Sequence, residues 1–250
     1  MTATPSLKQT TGNSANASGV FGVNWGYSTF IAGDWQLTSV KLFSYRTGSP
    51  GTCYVGLRAV DANHKPTGVD LATGTASANG WSTDYHGAFN EVTLNTPYTL
   101  TNGTEYAIVV RVPGGDGSNL IQLCWGLNIT SLYRGTSSDS GVTWSAGSGA
   151  SNYIQLWGVI KPTCTTQGAI NLTKTSERLS GTVDTMGDYS PIHVKFFYGT
   201  TAGYGSETAS ADVTSDGLVT ADVTGLTAGI TYHYAIDLTF QFHHIPGNYI

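Results

Sequence analysis

Residues 229–250 read GITYHYAIDLTFQFHHIPGNYI, and from Ile230 to His243 apolar and polar side chains alternate without a break. Ile230, Tyr232, Tyr234, Ile236, Leu238, Phe240 and Phe242 share one side; Thr231, His233, Ala235, Asp237, Thr239, Gln241 and His243 share the other. Successive side chains of an extended chain point to opposite faces, so period-two alternation predicts a strand with one buried face. Strands usually run about five or six residues, whereas this pattern reaches roughly thirteen, some 40 Å at about 3.3 Å per residue. Its persistence through Leu238, Phe240 and Phe242 favours a genuine strand over a truncated or frame-shifted ending. Ile236, Leu238, Phe240 and Phe242 are therefore expected to form an edge that recruits a neighbour.

The rest of the chain has the same texture. Its 250 residues include 32 Gly and 14 Tyr, with few charged residues and no Leu-rich helical runs. Short apolar-alternating runs separated by turn formers predict an all-β protein. The net charge is −5 and the eleven basic residues are scattered, which argues against nucleic-acid binding through phosphates. No apolar run approaches the roughly eighteen residues of a membrane span, and MTATPSLKQTTGNSANASGV lacks the apolar stretch of a signal peptide. No membrane insertion is expected, and a virion protein made in a cytoplasm would need no signal. Cys53 shares a face with Val55, Leu57 and Ala59, whereas Cys124 opposes Ile121, Leu123, Trp125 and Leu127, so no bridge between them is expected.

The texture changes at WGVIKPTCTTQGAI, where a strand-like run stops at Lys161-Pro162 and a small polar stretch follows. This predicts a Thr-rich N-terminal arm over 1–17, a first domain over 18–161 and a second over 165–250. Within the first domain, LTSVKLFSY, CYVGLRAV, EVTLNTPYTL, TEYAIVVRV and LIQLCWGL alternate with turns such as TGSPGT and PGGDGSN. Eight or more strands over this length suit a two-sheet jelly-roll sandwich.

The order WGYSTFIAGDWQLTSVKLFSYRTGSPGTCYVGLRAVDANHKPTG, LTNGTEYAIVV, YRGTSSDSGVTWSAG resembles the jelly-roll domains of the choice-of-anchor type, found in bacterial surface and phage structural proteins. It departs at His64, where that family's hairpin commonly reads Asp-x-Asn-Gly, which implies a looser turn. From about Thr165, AINLTKTSERLSGTVDTMGDYSPIHVKFFYGTTAGYGSET and DGLVTADVTGLTAGITYHYAI resemble a fibronectin type III-like sandwich. Leu226-x-x-Gly229-x-x-Tyr232 matches its tyrosine corner, so the resemblance implies that the Tyr232 hydroxyl returns to the upstream backbone. It also implies a strand G after Tyr232, yet no turn former interrupts the alternation, so that strand is missing or displaced.

No G-x-S-x-G, H-E-x-x-H, phosphate loop or C-x-x-C occurs, and the chain is expected not to be an enzyme. No metal site is expected; His193 and His233 would be neighbours on two paired strands, too few for a stable centre. A structural calcium ion held by loop carboxylates, with Asp34 and Asp139 as guesses, is the only cofactor entertained. Trp35, Trp125, Trp144 and Trp157 sit in or beside strand runs and are expected to pack. In NGWSTDYHGAF, by contrast, Trp81, Tyr85 and His86 occupy a polar loop, and with Tyr133 they are the candidate ligand-binding residues, the alternative being a loop whose Trp covers the sandwich end.

The leading functional expectation is a non-enzymatic structural protein of a virion or extracellular filament, forming homo-oligomers or binding other surface proteins. In it the N-terminal arm is donated to a neighbour. The alternative is a carbohydrate-binding or adhesion module on a bacterial surface, with glycans as partners.

Overall fold

The computed structural model describes residues 3–127 and 132–240. The protein is all-β: the described residues form twenty strands and a single 3₁₀ turn, Ala78–Gly80. Among the described residues no helix is long and apolar enough to cross a membrane. The chain divides into two compact units, Pro5–Val159 and Ile160–Ile250 with the first four residues.

The larger unit begins with β1 (Ser6–Thr11), β2 (Asn16–Val20), β3 (Trp25–Ile31), β4 (Gln36–Thr47) and β5 (Thr52–Val60). It continues with β6 (Pro66–Ser77), β7 (Ala88–Thr99), β8 (Glu105–Arg111) and β9 (Leu120–Leu127), then β10 (Tyr133–Ser137), β11 (Gly147–Ser148), β12 (Ala150–Asn152) and β13 (Ile154–Val159). These make one curled antiparallel sheet in the order β1-β13-β4-β7-β6-β5-β8-β3-β10-β11, with β9 beside β4 carrying β2 and β12. The curl turns at the single pair Gly74↔Leu94, where a Cβ on residue 74 would stand 2.2 Å from the Thr93 carbonyl oxygen. Only glycine lets the two backbones come this close. The two halves then face each other across a shared core that includes Phe30, Leu37, Leu42, Leu57, Ile108, Leu123 and Leu156.

The expected N-terminal arm is not free. β1 pairs with β13 from Ser6↔Gly158 to Thr11↔Ile154, β2 pairs with β9, and the Thr11 hydroxyl donates to the Asn152 carbonyl at 3.0 Å. The segment lacks a continuous apolar stripe because it is a half-exposed edge strand, held by backbone bonds to a neighbour far along the chain. A segment already paired in its own unit is not available for donation.

A tyrosine corner occurs in this unit too. Leu100-Thr101-Asn102-Gly103-Thr104-Glu105-Tyr106 has Leu, Thr, Gly and Tyr at the same spacing as Leu226-Thr227-Ala228-Gly229-Ile230-Thr231-Tyr232. The Thr101 N–H donates to the Tyr106 hydroxyl at 3.4 Å and the Thr227 N–H to the Tyr232 hydroxyl at 3.2 Å. Gly103 and Gly229 take φ of +74° and +78°, a conformation that costs other residues roughly 1–2 kcal/mol. Each glycine turns the chain so that the tyrosine reaches back over the arch.

The smaller unit contains β14 (Thr163–Thr166), β15 (Ser176–Thr185), β16 (Ile192–Gly199), β17 (Ser206–Glu207), β18 (Ala211–Val213), β19 (Gly217–Thr224) and β20 (His233–Thr239). One sheet runs β14-β15-β19; in the other, β16 lies between β20 on one side and β17 and β18 on the other. Leu179, Val183 and Val223 from the first and Ile192, Val194, Phe196 and Ile236 from the second are buried.

The long C-terminal strand is shorter than its pattern. β20 ends at Thr239, Phe240 packs on Tyr189 with ring centroids 4.8 Å apart, and Phe242 lies outside the described residues. Ile236 is 9% exposed and sits over Gly181, and Leu238 is half-buried opposite Val194. Among the described residues of the side expected to await a partner, Ile236, Leu238 and Phe240 are thus turned into the unit itself, because a two-layer fold this small needs every inward stripe it has.

Candidate functional site

Four places on the two units carry groups whose bonding is not used up by the fold. The first is the outer edge of β20. His233, Ala235, Asp237 and Thr239 alternate in the ladder with Tyr234, Ile236 and Leu238, and the Ile236 N–H points away from β16, donating to the Thr166 hydroxyl at 3.2 Å. Tyr234 donates its hydroxyl to the Gln167 carbonyl. These two contacts pin β20 near the end of β14, but no strand pairs with this edge among the described residues. Beside the corner at Tyr232 lies a groove of about 380 Å³ whose walls include Leu172, Leu226 and Ile230. Leu172 is 73% exposed.

The second place is the loop after β6. Trp81 is not a surface platform: the 3₁₀ turn directs its ring into the shared core, where it is 9% exposed. Arg46 anchors the loop from outside, its Nε donating to the Trp81 carbonyl at 2.9 Å and its N–H to the Ser82 carbonyl at 2.8 Å. Asp84 then accepts the His86 N–H at 3.0 Å and stands 2.7 Å from His86 Nδ1, so the turn is fixed. The bond from the His86 backbone N–H, seconded by that of its ring, pulls the Asp84 carboxyl below its ordinary pKa. Tyr85, 72% exposed, lies against the His86 ring at 4.0 Å. Of the three residues singled out in this loop, two face solvent and one is structural.

The third place surrounds Tyr133. Its ring stacks on His64 at 3.7 Å and 6°, and His64 Nδ1 is 2.7 Å from Glu105 Oε2. His64 adopts φ of +61° at the tip of the hairpin, where Asp61 Oδ1 accepts the N–H groups of Asn63 and Lys65 at 2.8 and 2.9 Å. The turn is therefore tight, not loosened, despite the histidine; stacking and the bond to Glu105 offset the left-handed backbone. Glu105 Oε1 and the hydroxyl of the fully buried Tyr27 have no hydrogen-bond partner among the described residues. Burial, seconded by the charges of Asp61 and Glu105, pushes the Tyr27 phenol up to about 12. Trp144 covers Tyr27 edge-on at 5.2 Å, so Trp144 and Tyr27 form a small second core on the outer face of the sheet.

The fourth place, also on that outer face, joins Arg58, Asp70 and Arg111. Arg58 Nε lies 2.6 Å from Asp70 Oδ1, and Arg111 bonds Oδ2. Burial raises the Asp70 pKa, but the two guanidiniums outweigh it and hold the carboxyl below its ordinary range. No sequence motif signalled this set; it comes together because β6 bulges.

Trp35 is buried, with Gly33 and Gly158 against its ring, so it packs as a core residue. Asp34 is exposed. Asp139 directs Oδ1 to the Ser137 hydroxyl and the Thr143 N–H, and Oδ2 to the Thr143 hydroxyl, at 2.6 to 2.9 Å. These bonds hold it at about 2 and leave it serving its own loop. Among the described residues no cluster of three or more His, Cys, Asp or Glu is arranged to hold a metal ion. His193 pairs opposite Thr239 and His233 opposite Gly199, six positions along β16, or about 20 Å, so the two histidines are not neighbours. Burial pushes all three thiols up, Cys53 to about 12. No known family model matches the chain, and no curated protein aligns with it.

Proposed function

We propose that the chain is a non-enzymatic structural module of a larger assembly, displayed on a virion or an extracellular filament. The larger unit is read as a jelly-roll sandwich, and the smaller as a fibronectin type III-like sandwich with an atypical or missing last strand. One observation carries this reading: β20 has a paired strand on one side only among the described residues. Unpaired strand edges accept strands from other chains. The exposed Leu172 and Ile230 at the adjacent groove add apolar area to such a contact. The partner strand comes from another copy or another surface protein, not from the N-terminal segment, which is already paired.

Light scattering of the purified protein against concentration tests this. Assembly is expected, and Leu238→Pro should abolish it, because the N–H of residue 238 shares the outward direction of the Ile236 N–H and is outside the ladder to β16. A wild-type chain that stays monomeric at the highest concentration would sink the proposal.

A second reading, a glycan-binding or adhesion module, is favoured by Tyr85, a rigidly held aromatic ring open to solvent. A glycan array separates the two: binding that is lost in Tyr85→Ala supports adhesion, and a blank array removes it.

A further inference from the structure

The outer face of the larger unit carries charge that does not balance. Arg58 and Arg111, each with a side chain 14% exposed, share the single carboxylate of Asp70, 13% exposed, which leaves one positive charge in excess. Charges withdrawn from water are costly unless paired. Each guanidinium offers five N–H donors, and each makes one contact with Asp70. None of their other nitrogens is sealed from solvent without a partner. Those of their remaining N–H groups that lack a partner therefore keep some access to solvent.

The fold makes room for this arrangement. Between Leu57↔Ala72 and Ala59↔Thr67, one residue of β5, Arg58, opposes four residues of β6. The bulge turns at Gly68, with φ of +67°, and sends Asp70 inward between the arginines while Val69, 79% exposed, points out. Gly56 forms the floor: a Cβ there would stand 2.5 Å from Asp70 Oδ1. The Arg111 guanidinium lies over two aromatic rings, its Cζ 5.2 Å from the Trp25 centroid and 6.0 Å from that of Tyr54. Bulges commonly re-aim side chains in this way at binding sites.

We propose that this niche is a binding site for a uronic-acid residue of a glycan. The sugar carboxylate takes the free N–H groups of Arg58 and Arg111 and neutralises the excess charge, while Asp70 keeps both guanidiniums in place. The C–H face of the sugar ring lies on the exposed side of Tyr54. A neutral sugar lacks the carboxylate, and an acidic peptide lacks the flat ring. The site shares no residue with the β20 edge or the Tyr85 loop, so its failure leaves both readings above standing.

Calorimetric titration of the whole chain with trigalacturonate and with the neutral galactotriose tests it. Trigalacturonate is expected to bind at least tenfold more tightly than the neutral trimer, with affinity falling as salt rises. Arg111→Gln should weaken it at least tenfold. Tyr54→Ala, a change at a ring 36% exposed, should weaken it several-fold without moving the melting temperature. Absence of trigalacturonate binding, unchanged binding in a folded Tyr54→Ala protein, or equal binding of a polyglutamate peptide would each overturn the assignment.

Discussion

Replacing Gly181 by Ala tests whether the apolar side of β20 is spent inside its own unit. The new Cβ would stand 2.7 Å from Ile236 Cδ1, 3.0 Å from its Cβ and 3.2 Å from its Cγ2. Carbon atoms prefer about 3.5–4.0 Å. The Cδ1 contact can be relieved by rotating the isoleucine, but Cβ moves only with the backbone. That backbone is held on one side by the pair Phe196↔Ile236 and on the other by the Thr166 hydroxyl. Overpacking of this kind costs about 1–3 kcal/mol, and the loss of glycine's unfolded-state freedom returns about 0.4–1 kcal/mol. A net loss of about 1–2 kcal/mol, in a unit of about 95 residues, lowers its melting temperature by about 4–16 °C. Scanning calorimetry of Gly181→Ala, Ile236→Val and the double variant reads this directly. Trimming Ile236 alone costs about 0.5–1.5 kcal/mol, but in the double variant it removes the nearest clash, so the two costs should fall short of adding by at least about 0.5 kcal/mol. Strict additivity, or a Gly181→Ala protein that melts with the wild type, would show that Ile236 is not packed there and restore it as a candidate contact for another chain.

Trp81→Ala should lower the stability of the larger unit by about 3–5 kcal/mol, seen as a lower denaturant midpoint, and should leave any Tyr85-dependent binding intact in the folded fraction. Tyr106→Phe and Tyr232→Phe should each cost about 0.5–1.5 kcal/mol of their own unit's stability, measured by chemical denaturation; no loss in either would remove the structural role of the paired corners. For Asp139, whose folded pKa is depressed to about 2, the stabilisation is present above the unfolded value near 4 and is lost as pH falls through the folded one. Melting temperatures should therefore drop less steeply between about pH 4 and pH 2 in Asp139→Asn than in the wild type, and parallel curves would refute the role assigned to its loop bonds.

The all-β character was legible because period-two alternation and turn residues act over a few neighbours, which a sequence displays directly. The corner at Tyr232 was legible for the same reason, and its twin at Tyr106 is spelled just as plainly in LTNGTEY. What alternation does not record is whether an apolar stripe meets its own chain or another. Leu238 and Phe240 look the same on paper either way, and only Val194 and Tyr189 reveal the answer. Trp81 misleads because a polar loop surrounds it in sequence, while a single 3₁₀ turn suffices to aim it inward. His64 and Tyr133 meet across β3 and β8, and Asp70 reaches Arg111 only through a bulge, so neither contact leaves a local trace. The N-terminal segment resembles a loose arm because an edge strand needs little apolar surface once its backbone is paired.

The pairing of β1 with β13 fixes how the larger unit meets mechanical load. Ser6 lies opposite Gly158, so the chain enters and leaves this unit side by side at one end of the same antiparallel pair. Tension applied through those two ends acts across the ladder and opens its pairs one after another from Ser6 towards Thr11. A shearing load would strain all of them at once. The unit is thus a weak link in series and a tolerant insert in parallel: a filament that must bear force would carry it past this unit, through contacts on its faces, and not through its termini.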